Sequence, residues 1–337
     1  MSYSLVHFLR HFPWKYYLSG GLFRFNQPTI AVMLGSKGAP ALVTRGQDVL
    51  WYEDDLAAVP DGPPMPSPMP AGRDAAVSAG RSFSAKLLAR CRLKSPPRYV
   101  LLPELSVNDF YCNVHRVASL RESEVESLLE NLQEDPRQVL GAWDEPRDFR
   151  WAVLSTDLSL LAGNLDRHHA EVMIVGAPAD YCDCVDAWID RQEASLAAII
   201  PSALACLRWF LEALAPPQEP CALLIEMVEV TVLAVLVKGQ VVLVRQYANE
   251  ADYAFEELNE RVREFAISAR RIYLWSLAGQ GSPPPMPPMA LGAVRVTPDV
   301  MREAFGGALT CRRPDGNNLN TEDPAAYLLR WASQHTS

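Results

Sequence analysis

The chain has 337 residues, 49% hydrophobic and 21% charged, which supplies a sizeable core and favours two or more domains. Its formal net charge of -9 argues against nucleic acid as a partner, because neutralising phosphate needs a basic surface. No apolar run reaches the length of about 18 residues that a transmembrane helix needs.

The N-terminal stretch lacks a continuous apolar region and a small-residue cleavage site, so it is not a signal peptide. Leu5, Phe8, Leu9 and Phe12 share a helical face, with Arg10, His11 and Lys15 nearby. Such a basic amphipathic segment, residues 3–17, either lies on an anionic membrane surface or packs on its own domain. Thr29 to Leu34 reads as a buried strand, and Ala41 to Tyr52 as a hairpin turning at Arg45-Gly46. Pro60 to Gly72 is proline-rich and reads as an extended loop. Asp74 to Leu93 is a helix candidate, and Arg98 to Pro103 and Asp109 to Val117 are strand candidates.

Ser119 and Glu122 have capping-box spacing, and Val125, Leu128, Leu129 and Leu132 follow with helical periodicity. Residues 149–155 and 171–178 read as strands, and 179–193 and 201–214 as helices. Cys221 to Gln246 reads as a three-strand meander, apolar almost throughout, as expected of a sheet covered on both faces. A helix over 252–271 and a strand over 272–275 follow, then a second proline-rich loop at 281–292. Asp323 caps a final helix that starts at Pro324.

Two segments repeat. Residues 29–52 and 222–245 each carry a strand, a short turn, a strand, a basic-Gly-Gln turn and a strand. Arg45-Gly46-Gln47 stands opposite Lys238-Gly239-Gln240, a spacing of 193 residues, and a mainly helical segment follows each copy. Duplicated meanders followed by helices are the plan of the actin, hexokinase and Hsp70 superfamily.

On these residues the chain resembles the type IV pilus assembly family PilM. YVLLPELSVNDFYCNVHRVASLRESEVESLLENLQED is similar to the PilM region after its first meander, and EVMIVGAPADYCDCVDAWIDRQEASLAAIIPSALACLRWF to its strand, helix and "I…PSALA" passage. The C-terminal AAYLLRWA is also similar, so the likeness runs over roughly residues 29 to 332. The secretion protein GspL is related in plan. The resemblance implies an α/β, actin-like (ribonuclease H-like) duplicated fold of two lobes with an inserted α+β subdomain. The expected division is an N-terminal extension 1–25, a first lobe 26–92 and 162–215, an insert 93–161, and a second lobe 216–337.

Actin-like ATPases hold phosphate with the first turn of each meander, around an Asp-Ile-Gly core. Here the first turn, Met33-Leu34-Gly35-Ser36-Lys37-Gly38, keeps the glycine but has methionine for the acid. The second, Glu226-Met227-Val228-Glu229, keeps an acid but has valine for the glycine, if Met33 matches Glu226 at the 193 spacing. The adenosine-side turn, Leu277-Ala278-Gly279-Gln280-Gly281, is partly preserved. A bound ATP with Mg would use Gly35, Ser36, Lys37, Glu226 and Gly279; three failures together favour a pseudo-ATPase without a cofactor.

By resemblance, PilM proteins sit on the cytoplasmic face of the inner membrane and bind the short tail of a bitopic partner, PilN, between the insert and the first lobe. The expected contacts are Pro103, Leu105, Val107, Phe110 and Tyr111, although each taken singly reads better as ordinary core. The assembly's motor ATPase is a further expected partner. The competing expectation is an active actin-like ATPase; a third is a cell-division protein similar to FtsA, whose membrane helix is C-terminal. No zinc site is expected at Cys182 and Cys184, because side chains two apart on a helix diverge. The seven scattered cysteines fit a reducing compartment.

Overall fold

The computed structural model describes residues 28–34, 40–46, 48–53, 91, 97–141, 143–159, 161, 167–191, 194–216, 218–228, 230–248, 251–277, 292–312, 318–321 and 323–335. The expected N-terminal amphipathic segment, the 74–93 helix (apart from Cys91) and both proline-rich loops lie outside them, save for Gly292. In chain order the strands are β1 (Thr29–Leu34), β2 (Ala41–Arg45), β3 (Asp48–Glu53), β4 (Arg98–Pro103) and β5 (Tyr111–Arg121). Helices α1 (Val125–Glu134) and α2 (Pro136–Leu140) follow, then β6 (Phe149–Leu154), β7 (His168–Pro178), α3 (Ala179–Arg191), β8 (Ser195–Ile199) and α4 (Ser202–Ala213). Next come β9 (Cys221–Glu226), β10 (Val230–Val237), β11 (Gln240–Ala248), α5 (Ala251–Glu264) and β12 (Ile272–Ser276). The chain ends with β13 (Val294–Arg295), α6 (Pro298–Ala304), β14 (Leu309–Arg312), β15 (Asn318–Thr321) and α7 (Pro324–His335). Among the described residues no helix is long and apolar enough to cross a membrane.

Two five-stranded sheets share one topology. The first has the order β3-β2-β1-β4-β8 and the second β11-β10-β9-β12-β13. In each, an antiparallel meander supplies three strands, and its first strand pairs in parallel with the next: β1 with β4, and β9 with β12. The described parts of Leu9–Leu105, Asp183–Trp209 and Val296–Ser337 form one compact unit, and those of Ser106–Cys182 and Phe210–Arg295 another.

The first unit holds the first sheet. All six residues of β1 and of β4 are buried, as the covered faces of a parallel pair require. Helix α7 packs against β1, β2 and β4, so the C-terminal segment clusters with the first sheet although it follows the second in sequence. Asp323 fills its expected capping role by accepting from the Ala325 amide at 2.9 Å, and it also receives the Tyr52 hydroxyl from β3.

The other unit holds the second sheet and a small three-stranded sheet of order β5-β7-β6. Helix α5 covers β10 and β11, burying Ala254, Phe255 and Leu258 against Leu224, Leu233 and Val235. The small sheet has its own core, in which Val125, Leu129 and Leu132 of α1 meet Trp151, Val153, Val172 and Ile174. Two expectations change here. Ser119 does not cap the helix, because β5 continues to Arg121 and the Ser119 hydroxyl lies 2.9 Å from His168 Nδ1. The helix entry is a 3-10 turn at Glu122–Glu124, where the Glu124 carboxylate accepts from the Arg121 amide at 3.0 Å.

The small sheet joins the second sheet through β5 and β11. Arg245 Nη1 donates to Asn113 Oδ1 at 2.9 Å, and the Val241 amide donates to the Thr156 carbonyl at 2.8 Å. Half-buried His115 shares this strip, its Nε2 2.6 Å from the Tyr111 hydroxyl. Burial first, and the Arg245 charge second, lower the His115 pKa from its ordinary 6.5.

Gly176 faces Trp151 across the β6–β7 ladder. A Cβ there would stand 2.5 Å from the Trp151 ring, which is only 3% exposed and cannot swing away. Gly176→Ala should therefore cost about 1–3 kcal/mol, read as a lowered urea midpoint at unchanged m-value. Adding Trp151→Leu should recover part of that loss, and strict additivity of the two substitutions would contradict the contact. His115 supplies a second test. Its depressed pKa means that the unfolded chain binds the proton more readily, so its contribution is complete above pH 6.5 and falls as pH drops below that value. His115→Gln should flatten the decline in stability between about pH 7 and 5; equal slopes for both proteins would contradict it.

Candidate functional site

The expected phosphate-binding turns follow the carboxyl ends of β1 and β9. Strand register fixes how the two copies correspond. Thr29 pairs with Thr44 in the first sheet and Cys221 with Leu236 in the second; Arg45 pairs with Asp48 and Val237 with Gln240. Both sets of pairs give a spacing of 192, not 193. The bulges agree, since Leu50 is skipped in the first copy and Val242 in the second. The expected match of Met33 with Glu226 is thus corrected: Leu34 corresponds to Glu226, and Gly35 to Met227.

The two turns differ in length. The Met33 amide donates to the Pro40 carbonyl at 2.9 Å, which leaves residues 34–39 between them. In the second copy the ladder runs further, and the Met227 amide donates to the Val230 carbonyl at 3.0 Å. Only Val228 and Glu229 then remain for the turn. A phosphate cradle needs several convergent free N–H groups, and the Met227 amide is engaged within the ladder. Glu226 ends β9 with a half-buried side chain, and its carbonyl accepts from the Leu277 amide at 2.8 Å. Gly35, Ser36, Lys37 and Gly279 lie outside the described residues.

Of the expected partner contacts, Pro103, Leu105 and Phe110 are buried, while Val107 and Tyr111 are half-buried. Pro103 closes β4, and Tyr111 opens β5. Between them Ser106–Asp109 forms a turn, with the Asp109 amide donating to the Ser106 carbonyl at 3.0 Å and Ser106 Oγ to Asp109 Oδ2 at 2.6 Å. Tyr111 belongs to an aromatic group with Trp143 and Trp151, at centroid distances of 5.4 and 5.6 Å. Burial pushes its phenol up to about 12, so it stays a neutral donor.

Sequence reasoning missed Arg147. Its Nη1 donates to Asp109 Oδ1 at 2.6 Å, its Nη2 to the Asn108 carbonyl at 2.7 Å, and its Nε to Glu145 Oε1 at 2.8 Å. These bonds, to Glu145 first and Asp109 second, hold the guanidinium above its usual range and lower the Glu145 carboxyl. The only sequence signal was the local Glu145–Arg147 spacing, which says nothing of a partner 38 residues away.

In the same unit a cavity of about 470 Å³ is lined in part by Arg116, Thr156, His168, His169, Glu171 and Gln240. Arg116 pairs there with Glu171 at 3.3 Å, and His169 Nε2 lies 3.2 Å from Oε1 of buried Glu122. Cys182 is buried and Cys184 exposed, and among the described residues no cluster of His, Cys, Asp or Glu could hold a metal ion.

No family model matches the sequence, and no curated protein matches it. A protein of actin-like ATPase fold and unknown function from Bacteroides thetaiotaomicron is 10% identical over 81% of this chain and 92% of its own, with a TM-score of 0.43. An Aquifex aeolicus member of the Ppx/GppA family is 9% identical over 91% and 88%, with a TM-score of 0.26. A solved PilM-PilN type IV pilus biogenesis complex contains a chain 11% identical to this one, with a TM-score of 0.53 over 91% of this chain and 97% of that chain. With the repeated sheet topology, this likeness establishes the fold as the duplicated actin-like one.

Proposed function

We propose that the protein is a nucleotide-independent adaptor of a type IV pilus-like or type II secretion-like assembly at the cytoplasmic face of the inner membrane. In this reading it binds the cytoplasmic tail of a PilN-like bitopic protein through the segment Pro103–Tyr111. The supporting observation is the fold likeness to a chain of the PilM-PilN complex over nearly all of both chains. The silent nucleotide site is a separate part of the proposal, supported by the second turn, whose two residues and bonded Met227 amide leave little to cradle phosphate. Contact with the motor ATPase, and of residues 3–17 with the membrane surface, belongs to the same proposal.

An extended tail docks by backbone pairing and alternate side-chain pockets, which suits a short, partly exposed turn leading into a strand. Of the five expected contacts, Val107 and Tyr111 are the two with surface to offer, whereas Pro103, Leu105 and Phe110 act as anchors. Glu226 favours one alternative, an active ATP-binding protein, because it keeps an acid at the end of β9.

A synthetic peptide of the PilN-like protein's cytoplasmic tail should bind the full-length protein, and Val107→Asp with Tyr111→Ala should weaken binding by about tenfold or more. Absence of binding to the wild type would sink the adaptor reading. Mg-ATP should leave the melting temperature unchanged, whereas a ligand present at 100 times its Kd would add about 2.7 kcal/mol. A Mg-ATP shift that Glu226→Gln abolishes would establish the alternative.

A further inference from the structure

The turn that carries the proposed partner segment is held by a single side chain from another loop. Arg147 reaches Asp109, the Asn108 carbonyl and Glu145 at once, and Ser106 Oγ occupies the second Asp109 oxygen. Its guanidinium also sits 5.9 Å from the Phe149 ring centroid, against the aromatic group that includes Tyr111. Both ends of the segment's exposed part are thereby fixed: the turn by the ionic fork, and Tyr111 by its ring contacts.

We infer that Arg147 is the positioning residue of the partner-binding segment, holding Val107–Tyr111 in the path that an incoming tail must meet. The inference rests on the adaptor reading. Its physical basis is preorganisation, since a receptor segment already ordered loses no further entropy when the tail docks. Only a planar fork satisfies three acceptors that lie in different directions, and a lysine ammonium at the same place carries the charge without that geometry. The Arg147 side chain is 37% exposed, so solvent screens part of its ion pairs, and global stability draws mainly on the apolar core beside them. Order of the segment and stability of the domain are therefore separable by experiment.

The test compares full-length wild type, Arg147→Lys and Arg147→Ala. Three quantities are measured: the melting temperature, amide exchange of residues 106–111, and binding kinetics of the synthetic PilN-like tail peptide. Both variants should melt within a few degrees of wild type. Exchange in 106–111 should rise by about tenfold with the rest of the chain unchanged. Peptide affinity should fall by about tenfold, with the loss in the association rate, because the segment must first find its path. Wild-type binding at equal rates in all three proteins would overturn the role of Arg147 and leave the adaptor reading intact. A loss in Arg147→Ala that Arg147→Lys fully restores would overturn the fork and leave charge alone. A wild type that does not bind the peptide would remove the adaptor reading and this inference together.

Discussion

The first strand of each sheet is asked to pair in two ways. β1 and β9 each bond antiparallel to the next meander strand and parallel to a strand that arrives later in the chain. A parallel neighbour reached by a crossover leaves both faces of the sheet to be covered, so apart from Thr29 and Glu226 at their ends these strands are apolar in continuous runs rather than at alternate positions. The same constraint locates the chemistry. In open α/β sheets a ligand sits outside the carboxyl ends of strands, where connections leave in opposite directions. The turns after β1 and β9 occupy that position in their respective sheets, and so the length of each turn bears on what the fold can still bind.

Much of this plan was legible in the sequence, because short continuous apolar runs, rich in β-branched residues and bounded by turn residues, mark buried strands. Thr29–Leu34, Arg98–Pro103 and the 221–246 meander were all read from that signal. The frame of the repeat was not. Gly46, with φ 59°, takes the first place of its two-residue turn, whereas in the second copy Lys238 takes the first place and Gly239 the second, with φ 53° and 73°. Either place needs the left-handed region, and glycine can fill either. Matching glycine to glycine therefore slipped the two copies by one residue. In a strand that slip moves every side chain to the opposite face, which is why Met33 was set against Glu226 when Leu34 belongs there.

The remaining misses have other physical causes. β8, β13 and the β14–β15 hairpin are short, and short strands carry few periods of any pattern. At Ser119 the capping-box spacing was present but the residue was still in β5, engaged with His168 on the neighbouring strand. Local propensity lost there to a ladder that only the fold supplies. Arg147 belongs to the same class, since its decisive partners are at Asn108 and Asp109, in a different loop.

The small sheet shows how a surface turn can be held in place by contacts separate from the core beneath it. Its core is closed by α1 on one face, and close packing at Gly176 and Trp151 leaves no room for rearrangement there. The Ser106–Asp109 turn lies at the margin of that core, where half-exposed ionic contacts rather than buried apolar area set the local order. Segments of this kind open at a free energy well below that of the whole domain. Rigidity of the core and order at the turn are thus assigned to different physical interactions within one compact unit.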